Sequence, residues 1–210
     1  MYNTTAFVLS RKERKEADYL VTLFTERYGR VSATAIGVRK PGAKLRGHLE
    51  NFAKTDVHLV SGKSGYRLIG AILADPFRNI TCSLERTRVA AVAARMVEVA
   101  SYDGSPDTAL WITLENFFSA LNSPDTLSPI QCERILFWFS ARFFHALGYQ
   151  GSESDAHSAA VQKLFRLYEE ASVATAVEVV FESSLHEAVR SSITRSFAEH
   201  LGTHVPIFAL

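Results

Sequence analysis

The chain has 210 residues, 47% of them hydrophobic and 21% charged, a composition that excludes a chain too polar to bury a core. Its two cysteines, Cys82 and Cys132, stand far apart in sequence, which excludes a disulfide framework and a CxxC-type zinc site. The formal net charge of +1 hides a division: residues 1–80 hold fourteen Lys and Arg against seven Asp and Glu, and residues 81–210 hold nine against fifteen. A basic front fits a polyanion-binding domain, although small β domains also carry surplus surface lysine.

The front reads as β structure. Thr4 to Ser10 and Leu20 to Thr25 are runs of β formers. Glu26 to Arg30 is a turn around Gly29, and Val31 to Val38 alternates at period two as the returning strand. Gly37 to Gly42 breaks the pattern, and Ala43 to Asn51 is expected to form one or two helical turns. Thr55 to Val60 alternates again, Ser61 to Gly65 is a hairpin loop, and Tyr66 to Leu73 is a fifth strand ended by Asp75-Pro76. Five strands with a short helical insert after the third fit a five-stranded OB-fold barrel. Periodicity alone equally permits an SH3-like barrel.

The back reads as helices. Leu84 to Ala100 carries Val89, Val92, Met96 and Val99 on one face, and Leu110 to Leu121 marks a second helix. Ser128 and Pro129 are an N-cap and first-turn proline for a third, nearly all-apolar helix ended by Gly148. Val161 to Tyr168 marks a fourth helix and Leu185 to Leu201 a fifth. Between them Val177, Val179 and Phe181 alternate like a strand, which leaves 174–181 ambiguous. The expected architecture is α+β in two modules, a barrel over 1–79 and an all-α, acidic, protein-interaction domain over 80–210. Neither a secretory signal nor a membrane-spanning helix is expected, so a cytoplasmic setting is.

Motifs for catalysis are weak. Gly62-Lys63-Ser64 resembles the end of a P-loop, but Val57 stands where the motif needs glycine, and a hairpin loop does not open a helix. His200 and His204 share a helix spacing used by zinc sites, without an HExxH pattern. No G-x-S-x-G elbow occurs, and Glu169, Glu170 and Glu178 sit on helix exteriors. The expectation is a protein that is no enzyme and holds no cofactor or metal.

The basic residues say more. Arg39, Lys40, Lys44 and Arg46 cluster around a Pro-Gly break with no acid among them. Arg11, Lys12, Arg14 and Lys15 form a second group after the first strand, interleaved with Glu13, Glu16 and Asp18. Lys63 and Arg67 flank the later hairpin. On one barrel rim these cations would neutralise phosphates without reading bases. Tyr2, Tyr28 and Tyr66 are either stacking faces or barrel packing.

Several blocks resemble the bacterial recombination mediator family RecO. They are Ala6 to Arg11, Glu16-Ala17-Asp18, Leu23 to Arg30, Ala35 to Lys40, Lys44 to Gly47 and Leu49 to Phe52, in matching order and spacing; Leu147-Gly148-Tyr149 resembles a landmark of the family's helical domain. The resemblance implies an N-terminal OB-fold and a C-terminal helical domain. It implies binding of single- and double-stranded DNA, annealing of complementary strands, contacts with RecR and the single-stranded-DNA-binding protein, and indirect work on RecA, which is helped onto covered single strands. It also implies a nucleoid association. Arg39, Lys40, Lys44 and Arg46 match the family's basic segment and are the leading phosphate contacts, with Arg11, Lys12, Arg14, Lys63 and Arg67 beside them. Many members carry a four-cysteine zinc site after the landmark, and here Gln150 to Ser154 holds no cysteine, so no zinc is expected. Arg134 and Arg142 on the third long helix either receive an acidic protein tail or solvate one helix edge. Two other readings stay open: a scaffold that has lost DNA binding, and a metal-dependent nuclease.

Overall fold

The computed structural model describes residues 1–62, 65–148 and 158–201, with the side chains of Ser158, His200 and Leu201 set aside. Five strands form a closed barrel: β1 (Tyr2–Arg14), β2 (Asp18–Thr25), β3 (Gly29–Ala35), β4 (Lys54–Gly62) and β5 (Gly65–Asp75). The order round the barrel is β1-β2-β3-β5-β4, closed by β1 pairing with β4. All pairings are antiparallel except β3 with β5. This is the OB-fold, with β1 long enough to pair on both sides. A single 3₁₀ turn, Arg46–His48, stands where one or two helical turns were expected.

The barrel core is aliphatic: Val8, Val21, Leu23, Val31, Val57, Leu59 and Leu68 face inward at alternate positions. Yet β1 is buried without a break from Ala6 to Leu9, and β2 from Val21 to Thr25. The reason is a second layer outside the barrel. Phe7 and Phe24 pair in register, and the Trp111 ring packs 4.5 Å from Phe7 and 6.0 Å from Phe24, centroid to centroid. Phe77 stacks on Phe7 from the end of β5.

Among the described residues seven helices follow: α1 (Arg78–Thr81), α2 (Leu84–Ala100), α3 (Thr108–Leu121), α4 (Pro129–Ala146), α5 (Ser158–Glu170), α6 (Val173–Glu178) and α7 (Ser183–Leu201). The chain forms two compact units: Met1–Arg78 with Ala94–Trp111, and Asn79–Ala93 with Ile112–Leu210. Charge and pattern placed the division at 79; by packing, residues 94–111 go with the barrel. Within the second unit α4 is central, with ten buried residues from Cys132 to Phe144. Ser128 caps it as expected: its hydroxyl accepts from the Gln131 N–H, and the Gln131 side chain accepts from the Ser128 N–H. The segment 174–181, ambiguous from its pattern, is helix as far as Glu178 and forms no strand. Ser172 caps α6 by accepting from the Thr175 N–H, and a local cap outweighs three alternating residues.

Candidate nucleic-acid interface

Pairing register builds the site. Lys12 on β1 pairs with Leu20 on β2, Leu20 with Thr34 on β3, and Thr34 with Arg67 on β5. Residues paired in register share a face. Their neighbours Val21, Ala33 and Leu68 fill the core, so this row looks outward. Its ends are three strand spacings apart, roughly 14 Å. Arg14 joins the row by donating from Nη1 to Thr34 Oγ1 at 2.8 Å. Lys12, Arg14 and Arg67 are all exposed. Thr34 therefore gathers cations from the first and last strands. Sequence reading passed over it, although its outward place in the period-two pattern of β3 was a usable signal.

The second basic group was expected to follow the first strand. Instead Arg11, Lys12 and Arg14 lie inside β1, because pairing with β2 down to Arg14 and Asp18 carries the hairpin past the barrel wall. Successive side chains then point to opposite faces and split the group. Arg11 turns to the inner side. Its Nη2 meets Glu50 Oε2 at 2.5 Å, its Nη1 donates to the Leu49 carbonyl at 3.3 Å, and its guanidinium lies over the Tyr19 ring. Lys15 makes the turn with φ of 54°.

Residues 36–50 pack back on the inner side of this hairpin. The Gly37 N–H donates to Asp18 Oδ1 at 2.8 Å, and the Arg39 N–H donates to the Ala17 carbonyl at 3.0 Å. Arg39 Nη2 meets Glu13 Oε2 at 2.9 Å. The group read as free of acids thus gains one through the fold. Lys40, Lys44 and Arg46 stay exposed on the same segment. Lys63 lies outside the described residues. Of nine candidate cations, the structure brings Lys12, Arg14 and Arg67 into one row, exposes Lys40, Lys44 and Arg46 on a neighbouring segment, and ties Arg11 and Arg39 into ion pairs.

Tyr2, Tyr28 and Tyr66 resolve to the packing reading. Tyr2 sits edge-on to Tyr28 at 5.2 Å and to Tyr66 at 5.6 Å, and all three pack against the core.

In the second unit Arg134 and Arg142 serve neighbouring helix ends. Arg134 donates to the Val177 carbonyl at 3.0 Å and lies over Phe181. Arg142 donates to the Tyr168 and Ala171 carbonyls at 3.3 and 3.1 Å and lies over Trp138. Both are half-buried, and these donors complete the C-terminal turns of α6 and α5. Glu133 pairs with His186 and Arg190, joining α4 to α7. Burial pushes the Cys132 thiol up to about 11, which keeps it protonated at neutral pH. Among the described residues no group of three or more His, Cys, Asp or Glu is placed to hold a metal ion. The His200 side chain and all of His204 lie outside the described residues. Likewise, no described helix is long and apolar enough to cross a membrane.

The fold and this cationic row define an OB-fold protein with an appended helical domain. Residues 1–77 match the family described as "Recombination protein O N terminal". The chain is 30% identical over 159 residues to the DNA repair protein RecO of Geobacter metallireducens, covering 76% of this chain and 63% of that one. It is 29% identical over 152 residues to the DNA repair protein RecO of Desulfitobacterium hafniense, covering 71% and 53%. It is 31% identical over 125 residues to that of Myxococcus xanthus, covering 59% and 51%. The chain belongs to the RecO family; it spans about half to two thirds of the length of the curated relatives it matches.

Proposed function

We propose that the chain is a DNA-binding recombination mediator in DNA repair. It binds single- and double-stranded DNA, anneals complementary strands and, with RecR, helps load RecA onto single strands covered by the single-stranded-DNA-binding protein. It does this by binding and positioning, without covalent chemistry. The observation that carries the reading is the row of Lys12, Arg14 and Arg67 around Thr34, on the outer face of an OB barrel. OB-folds bind oligonucleotides over their strand 2–3 face and the loops beside it, and Thr34 stands on that face. The names of the relatives supply the repair context.

Fluorescence polarisation with labelled single- and double-stranded oligonucleotides across a salt series tests it. Affinity is expected to fall steeply with salt, because each neutralised phosphate releases counterions. A scaffold that has lost DNA binding is the second reading, favoured by the two ion pairs that occupy Arg11 and Arg39. Absence of binding at low salt would establish the scaffold and remove the mediator.

A further inference from the structure

We propose that the outer face of β1, β2, β3 and β5 holds a nucleic-acid strand by its phosphates alone and leaves the bases turned away from the protein. The proposal rests on the DNA-binding reading above and adds its mode.

The face offers cations and short or aliphatic side chains. Lys12 and Arg67 stand at the ends of the row, Leu20 and Thr34 lie between them, and Arg14 reaches over Thr34. Ile36 and Ile69, each about half exposed, lie on the same two strands or just beyond them. Stacking a base takes a ring with an open face. The aromatic rings of the barrel are occupied elsewhere. Tyr2 sits edge-on to Tyr28 and Tyr66 at 5.2 and 5.6 Å, and all three are partly buried against the barrel core. Tyr19 lies under the Arg11 guanidinium, and Phe7 and Phe24 lie under Trp111. Phe52 and Phe77 are buried. Lys63 and Ser64, outside the described residues, carry no ring.

One aromatic ring of this unit is open, that of Tyr102, which is 73% exposed. It belongs to a loop bonded to the β2–β3 turn, where the Gly104 N–H donates to the Tyr28 carbonyl at 3.0 Å. The cationic row lies toward the opposite end of β2, near the β1–β2 turn. At about 3.3 Å per residue, β2 separates the two turns by roughly 23 Å. The row thus grips backbone without a ring beside it. Backbone contacts position a strand and carry no base information. A strand held this way keeps its pairing edges free, so a complementary strand can pair with it while it stays bound.

The test compares the full chain's affinity for a labelled thymidine oligonucleotide and for an abasic chain of the same length, across salt. The expected result is affinities within about threefold and parallel salt slopes, because both ligands present the same phosphates. A stack onto even one base loses at least about fivefold when the base is removed. An abasic chain bound more than threefold more weakly overturns the inference and leaves the DNA-binding reading standing. Failure of both ligands to bind at low salt overturns that reading and the inference with it. A variant carrying Lys12→Glu, Arg14→Glu and Arg67→Glu, checked for folding by circular dichroism, locates the face. It is expected to weaken both ligands by the same factor, about tenfold or more. Unchanged binding in a folded triple variant overturns the inference.

Discussion

Glu13 sets how much positive charge the hairpin shows to solvent. It sits between Lys12 and Arg14 on β1, and its carboxylate, on the opposite face of the strand, holds Arg39 at 2.9 Å. Its side chain is 66% exposed. An exposed pair of this kind contributes about 0–1 kcal/mol to stability. A phosphate approaching Arg39 must compete with this carboxylate. Glu13→Gln is therefore predicted to raise DNA affinity about two- to fivefold in low salt and to steepen the salt slope by up to about one, since Arg39 becomes available to a phosphate. Chemical denaturation should move by less than about 1 kcal/mol. Polarisation with the same oligonucleotide checks this, and an unchanged or weaker affinity counts against a role for Arg39 in phosphate contact. The pair shows where sequence reading stops at this scale. The cations at Arg39 to Arg46 were visible as a cluster because they are local. Their acid lies on another strand, brought near by the fold of 36–50 over the hairpin. Thr34 is legible locally only as an outward position of β3; that it collects an arginine from β1 and faces another on β5 comes from the fold.

Elements were most legible where a local signal starts or stops them. The Ser128-Pro129 pair announces α4, and the spacing of apolar residues outlines α2 from Leu84 to Ala100, as observed. The hairpin of β1 and β2 was less legible, because its last charged residues look like a loop and become strand only through pairing. The β2–β3 turn shows both sides. Gly29 was readable as a turn glycine, and it adopts a φ of 63°. What pattern did not show is its neighbour. Gly29 forms an isolated bridge with Asp103, and a Cβ there would lie 2.3 Å from the Ser105 carbonyl oxygen. Arg30 adds two ties to the same region, to Asp103 at 3.2 Å and to the Glu98 carbonyl at 2.7 Å. Gly29→Ala thus meets a strained backbone and a backbone clash together. The expected loss is at least about 2 kcal/mol, from the left-handed conformation and the displacement of the 102–105 loop. Urea denaturation measures it, and a loss below about 0.5 kcal/mol would show that the loop yields freely.

At the scale of the whole molecule, a boundary drawn from charge and a boundary drawn from packing differ. Charge and strand count end the barrel module at residue 79. Packing assigns 94–111 to the barrel unit, because Phe7 and Phe24 face outward from the strands and need a cover. Trp111 supplies it, and both phenylalanines are 0% exposed. The unbroken apolar run Ala6 to Leu9 held this information, since a strand wet on one face alternates and a strand buried on both does not. The partner of the second face lies about a hundred residues on, beyond what periodicity can name. The consequence is testable with fragments. A chain ending at residue 79 lacks Trp111, Asp103 and the Glu98 carbonyl, so it exposes two phenylalanine rings and loses both ties to Arg30. It is predicted to melt well below the full chain and to bind an apolar dye. Trp111→Ala in the full chain removes the cover alone and should cost the barrel unit about 3–5 kcal/mol. The sequence has two tryptophans, Trp111 in the first unit and Trp138 in the second. A Trp138→Phe background therefore makes Trp111 fluorescence the reporter for the barrel unit in denaturant, while circular dichroism follows the Trp111→Ala chain. If the fragment ending at 79 melts as high as the barrel reported by Trp111, the cover is dispensable and the barrel module does end at residue 79.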